Sequence, residues 1–189
     1  MATRSGPTSA SASAIGDLHQ PFHALGVGRG GNDVRVRVFG QTGCGPSTPL
    51  KAGNAPARSS PCNLHSVWDS RLIARRNLDD PSFVGVLQEV IANKGFGSQP
   101  PGTPQQWAEQ SFKLAKEALV TPDTNIDEAY FRRHIAVIED RLALGGIRLA
   151  AVLNKVLTGA RRRQYRLLNQ ARVLLPTGLE TFVHVTTRG

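Results

Sequence analysis

The sequence predicts a mainly α-helical protein that carries one short β-strand or hairpin. Three observations lead there. Apolar residues recur at helical spacing through residues 64–72, 83–92, 104–120 and 126–157, the pattern of helices with one packed face. Prolines and glycines such as Pro81, Gly95 and Pro104 punctuate those segments. Only residues 33–39 alternate with a period of two: Val34, Val36 and Val38 fall on one side, Arg35 and Arg37 on the other.

At 189 residues and 20.3 kDa the chain is long enough for one domain with a core. A hydrophobic fraction of 40% and a mean hydropathy of -0.24 describe a globular protein. No run of 18 apolar residues occurs, so no membrane span is expected. The net charge of +9 suits a polyanionic partner, but residues 160–189 hold six arginines and one glutamate, which places +5 of it in the tail.

Taken in order, residues 1–14 are rich in Ser, Ala and Thr and are expected to be disordered. They lack the apolar stretch of about 7–15 residues that a secretory signal needs. Residues 15–23 read as the end of a buried helix turning at Gln20-Pro21, since proline ends helical geometry in the residue before it. That turn could aim His23 back toward Asp17. His19 reads as a surface or supporting residue. The glycines of 26–31 make either an ordinary turn or a loop whose backbone nears a ligand and whose Arg29 could meet a phosphate. No strand precedes them, so they are not a dinucleotide fingerprint.

Residues 40–61 form a long Gly/Pro/Ser loop bracketed by Cys44 and Cys62. The pair could close a disulfide in an oxidising compartment or remain two free thiols; their spacing fits no zinc knuckle. Asn63 can cap a helix over 63–76, with Leu64, Trp68 and Leu72 as its packed strip. Pro81 is expected to end that element. Helices follow at 83–92 and, after a loop at 95–104, at 104–120, with Trp107, Ser111, Leu114, Ala115 and Ala118 on one side. Through 126–157 an apolar seam of Ile135, Ile138, Leu142, Leu149, Val152 and Val156 is interrupted by Gly145-Gly146, which invites a kink or a close contact. Tyr130 reads as packing and His134 as surface. The arginines at 161–163 could bind nucleic acid or belong to a non-native extension. The residues 175–178 lack a position that a sortase signal needs.

Chemistry concentrates between Ser13 and Asp69, which hold three of the five histidines. His65 and Asp69 are four apart and share a helix face. An imidazole and a carboxylate so placed suit zinc, with ligand distances of roughly 2.0–2.2 Å. Asp17 and His23 are candidates for the other side of the site.

The blocks GDLHQPFH (16–23), GGND (30–33) and NLHSVWDS (63–70) resemble the signature of the single-strand-specific zinc nucleases, the family of nuclease S-one, nuclease P-one and mung bean nuclease. The likeness covers roughly Ile15 to Ser70 and continues more weakly to about Leu157. It implies a helical phospholipase C/P1 nuclease-like fold, here its carboxy-terminal portion, and a three-zinc enzyme that hydrolyses single-stranded DNA or RNA to 5′-nucleotides. It implies that His23, His65 and Asp69 ligate one zinc and that Asp17, the catalytic candidate, is the carboxylate bridging the other two.

Two departures from the family pattern temper that expectation. The family has a histidine where Ser13 stands, and its amino-terminal zinc ligands have no counterpart among the 16 residues before Asp17. The chain is therefore expected to be an amino-terminally truncated or misstarted nuclease that holds one zinc, with weak or absent turnover. Its expected organisation is a disordered segment at 1–14, a partial zinc nuclease domain at 15–159 and a basic extension at 160–189. A secreted or periplasmic location is implied by the resemblance, although no signal peptide is visible. Two competing readings are a catalytically inactive helical module binding nucleic acid and a phospholipase C-like hydrolase.

Overall fold

A computed structural model describes residues 9–44 and 60–174, with side chains described over 13–44 and 60–159. It divides into two compact units, Met1–Ala151 and Val152–Gly189. Helix α1 spans Ser9–Asp17, so the segment expected to be disordered is helical from Ser9, where alanine alternates with serine and favours helix. The rest of that segment lies outside the described residues, as do residues 175–178.

A 3₁₀ turn at Pro21–Ala24 follows α1, with Gln20 as its cap and Pro21 in its first position. The glycine turn Gly28–Gly31 comes next. The strand expected at 33–39 contracts to β1, Arg37–Val38, which pairs in parallel with β2, Asn125–Ile126. The alternation itself holds, with Val34, Val36 and Val38 buried and Arg35 and Arg37 exposed. The ladder is short because the segment's hydrogen bonds are divided. Val36 N–H donates to Cys62 and Leu64 N–H to Val34, while Arg37 and Phe39 donate to Thr124 and Ile126. Cys44 and Cys62 form a disulfide.

Helix α2 is composite: Leu64–Ser66 is α-helical, Val67–Arg71 is π-helical and Leu72–Ala74 is α-helical. Asn63 caps it, its side chain accepting from Ser66 N–H at 2.8 Å. Leu64, Trp68 and Leu72 bury its packed strip, as expected, and Val67 is buried with them. Pro81 does not end this helix; it lies in the first turn of α3, Asp80–Lys94, whose cap is Asp79. That is the position proline tolerates, since its missing N–H has no helical partner there. Helix α4, Pro104–Ala118, opens with a Thr103/Gln106 capping box and buries Trp107, Ser111, Ala115 and Ala118.

The last helix, α5, spans Glu128–Leu174 and departs most from expectation. In the first unit its buried stripe is His134, Ile138, Arg141, Gly145 and Arg148, at helical spacing. Of the expected apolar seam only Ile138 is buried, and Leu142 is 40% exposed. In the second unit the helix continues, with Val156 exposed and Thr158 Oγ1 donating to the Asn154 carbonyl at 2.6 Å.

The buried face is polar because it receives the backbone that leaves α1. Arg141 donates to the carbonyls of His19, Leu18 and Trp107, to Ser111 Oγ and to Gln110 Oε1. Ser111 Oγ also donates to the Leu18 carbonyl at 2.6 Å. Arg148 donates to His19 Nε2 at 2.7 Å, so the imidazole proton sits on Nδ1 and is given to the Ile15 carbonyl at 2.7 Å. Gly145 lets this helix close on the ring: a Cβ there would meet His19 Cγ at 3.4 Å. His19 is thus 3% exposed rather than a surface residue. His134 is likewise buried, its ring 4.2 Å from Tyr130 and 5.4 Å from Trp68. Tyr130 does more than pack, since its hydroxyl accepts from Trp68 Nε1 and donates to the Ala118 carbonyl.

Two measurements check this core. Tyr130→Phe leaves the indole N–H and the Ala118 carbonyl without their shared partner, and urea unfolding should show a loss of about 2 kcal/mol. Burial, against the raising effect of the Ile15 carbonyl and with the help of Arg141 and Arg148, lowers the His19 pKa from 6.5 to about 4. The unfolded chain therefore takes up a proton below pH 6.5 that the folded chain refuses until about pH 4. The stability tied to His19 is complete above pH 6.5 and falls away toward pH 4, by about 3 kcal/mol. Urea titrations of the parent and His19→Gln across that range should show the parent losing more.

Candidate metal centre

Two stretches of chain are brought together at the Gly30-Gly31 backbone. Both glycines have positive φ, 66° and 83°, and neither has room for a side chain. A Cβ on Gly30 would lie 2.5 Å from the Phe22 carbonyl oxygen, and one on Gly31 would lie 2.9 Å from the Phe22 ring and 3.3 Å from the His65 backbone nitrogen. Phe22, fully buried, sits against this contact and fixes the 3₁₀ turn that carries His23. The backbone of residues 26–31 reaches the His65 ring directly. The Gly30 carbonyl accepts from His65 Nδ1 at 2.8 Å.

That bond puts a proton on His65 Nδ1 and turns Nε2 toward Asp69 Oδ2, 3.3 Å away. Asp69 lies within the π-helical turn of α2, whose widened backbone is marked by Leu72 N–H reaching back to the Val67 carbonyl. Such turns inside helices recur at functional sites. Gln20 Nε2 donates to Asp69 Oδ1 at 2.6 Å, while its Oε1 accepts from Phe22 N–H. One amide thus caps the 3₁₀ turn and holds the carboxylate.

His23 stacks on His65, with ring centres 4.8 Å apart and planes 11° from parallel. Its Nε2 is 3.7 Å from Asp69 Oδ1 and its Nδ1 is 3.4 Å from Asp17 Oδ1. Among the described residues, His23, His65 and Asp69 form the one group able to offer three ligand atoms to an ion, all within 4.8 Å of one another. Ligands on a tetrahedral zinc stand about 3.3 Å apart. The two aspartate–histidine separations, 3.3 and 3.7 Å, are near that value.

The structure thus gathers His23, His65 and Asp69 and sets Asp17 on the far edge of the His23 ring. It leaves His19 out, since both of its ring nitrogens are engaged elsewhere. Asp33 and Arg29 also stand apart, paired with each other at 2.6 Å in the open. This occupies the guanidinium read as a phosphate contact, and the Arg29 hydrogen bond holds the Asp33 carboxyl below its usual range. Gln20 and Arg141 are the participants that the sequence reading missed. The signal available for Gln20 was its place before Pro21, where a turn needs a cap.

The cluster opens onto a cleft of about 470 Å³. One end carries Asp17, Gln20, His23 and Asp69, and the other is walled by Ile73, Ile138, Leu142 and Leu149. Ile138, Leu142 and Leu149 of the expected α5 seam therefore line a cavity. An anionic group bound at the polar end would have apolar surface beside it.

Comparison with known proteins places this geometry. The chain matches the S1/P1 Nuclease family over residues 10–158. It is 32% identical to Endonuclease 4 of Arabidopsis thaliana over 160 residues, covering 75% of this chain and 47% of that protein. Endonuclease 5 of the same plant is 32% identical over 161 residues, covering 75% and 48%. For Endonuclease 3 the identity is 30% over 167 residues, covering 78% and 50%. The chain spans about half the length of the curated relatives it matches. With a family match over residues 10–158, most of its length, the chain belongs to the S1/P1 nuclease family.

Proposed function

We propose that this chain holds one zinc ion through His23, His65 and Asp69, acts on single-stranded nucleic acid, and turns it over weakly or not at all. The observation that carries this reading is the convergence of two imidazoles and a carboxylate from separate segments on one point. The donor set fits zinc: two neutral nitrogens and one carboxylate oxygen form a usual ligand combination, with room left for a further ligand.

Bound there, zinc would supply Lewis-acid neutralisation of phosphoryl charge and activation of water for phosphodiester hydrolysis. The chain's own groups do the orienting. The Gly30 carbonyl holds the His65 ring with Nε2 inward, and Gln20 holds the Asp69 carboxylate by one oxygen so that the other faces His65. Such supporting bonds raise ligand basicity and fix ligand direction. Asp17, more than half exposed beside His23, is the residue that would hold further ions if the resemblance carries over. Ser13 contributes no comparable ligand there, because a serine hydroxyl stays protonated and coordinates zinc poorly near neutral pH. Weak turnover follows from a single ion doing the work that two or more share in in-line phosphoryl displacement. The Cys44–Cys62 bridge supports an exported protein, since disulfides persist in oxidising compartments.

Metal analysis of the purified chain, coupled to digestion of a single-stranded oligonucleotide before and after chelation, tests this reading. The expected result is one zinc per chain and slow, chelator-sensitive cleavage or none. His65→Ala should lower zinc affinity by more than about 100-fold. Vigorous cleavage with three zincs per chain would overturn the weak-turnover proposal. A parent chain that binds no zinc would overturn the metal assignment itself.

A further inference from the structure

We propose that Arg141 is a positioning residue for the metal centre, which it serves by clamping the backbone between Asp17 and Gln20 rather than by touching the ion or the substrate. The inference rests on the one-zinc reading for its consequence but on hydrogen-bond geometry for its substance. Arg141 is 4% exposed and has no carboxylate within salt-bridge distance among the described residues. A buried guanidinium without an acid partner is unfavourable unless its N–H groups are taken up. Here they are taken up by backbone. Nε donates to the His19 carbonyl at 3.2 Å, and Nη2 donates to Leu18 at 3.4 Å and to Trp107 at 3.2 Å. Ser111 Oγ, 2.7 Å from Nη2, doubles the hold on the Leu18 carbonyl.

The Leu18 and His19 carbonyls lie just past the end of α1, where helical partners have run out. Asp17 lies immediately before the clamped pair and Gln20 immediately after it. Gln20 in turn holds Asp69 and caps the turn bearing His23. A single side chain from α5 therefore sets the position of one segment's contributions, Asp17, Gln20 and His23, relative to those of α2. His65 touches this chain of contacts at the His23 ring and at Asp69, but its own ring is fixed separately by the Gly30 carbonyl. That asymmetry makes a positioning role separable from a general contribution to folding.

The test uses the full chain, with Zn²⁺ alone as ligand and the histidine ring nitrogens as reporters by long-range ¹H–¹⁵N NMR. Arg141→Met should lower zinc affinity by about 10–100-fold, the range for groups that orient ligands. In the zinc-free protein it should shift the His23 ring resonances more than those of His65, whose ring is held by Gly30. Arg141→Lys, which reaches only part of the carbonyl set, should recover part of the affinity. If Arg141→Met does not fold, Ser111→Ala decides the matter, with a smaller affinity loss and the same selective shift expected. A folded variant that binds zinc within about twofold of the parent would overturn the proposal. So would His23 resonances that stay in place, or that move no more than those of His65. If the parent binds no zinc, the one-zinc reading falls, and the ring resonances alone judge the role of Arg141.

Discussion

The arrangement depends on a contact between two glycines and a phenylalanine. Gly30 and Gly31 place bare backbone against Phe22 on one side and the start of α2 on the other. The distance between the two ligand-bearing segments is set by the thickness of that backbone. His23 follows Phe22 directly, and His65 abuts Gly31 while giving its Nδ1 proton to Gly30. Any β-carbon at either position would push Phe22 or His65 outward, and the positive φ of both residues already favours glycine. Orientation is thereby built into the main chain, which cannot rotate away as a side chain can.

A second constraint reinforces the first. The end of α1 is buried, and its carbonyls need donors. Helix α5 supplies them with Arg141, aided by Ser111 of α4, while Arg148 engages the His19 ring. The helix face that a hydropathy pattern would turn to solvent is thus turned inward, and the apolar face is left to wall the cleft. Polar burial of this kind fixes position more sharply than apolar packing, because each donor has one acceptor and a displaced carbonyl leaves an unpaired group behind. A centre that must hold donor atoms to within a few tenths of an ångström benefits from that rigidity.

Much of the site could be read from residue order. The four-residue spacing of His65 and Asp69, the cap at Asn63, the alternation of Val34, Val36 and Val38, and the glycine approach all appear in the fold as their chemistry suggests. The buried arginines were not legible, because whether a guanidinium is inside depends on carbonyls contributed from distant segments. For the same reason His19 and His134, flanked by polar neighbours in sequence, looked solvated and proved enclosed. The π-helical turn around Asp69 left no local mark, since it arises where Trp68 is drawn toward Tyr130 and Phe22 in the core. The strand shortened because Val34 and Val36 exchange hydrogen bonds with residues 62–64 instead of with a sheet.

The family's chemistry is shared among several ions, and this chain spans about half the length of its relatives, so the part of that chemistry it can hold is the question its geometry raises. The most direct measurement is X-ray absorption at the zinc edge of the zinc-loaded chain. The account predicts two imidazoles and light oxygen donors at about 2.0–2.1 Å. One of those imidazoles should vanish in His23→Ala and the other in His65→Ala. A spectrum with fewer than two imidazoles in the parent, or one that both variants leave unchanged, would contradict it.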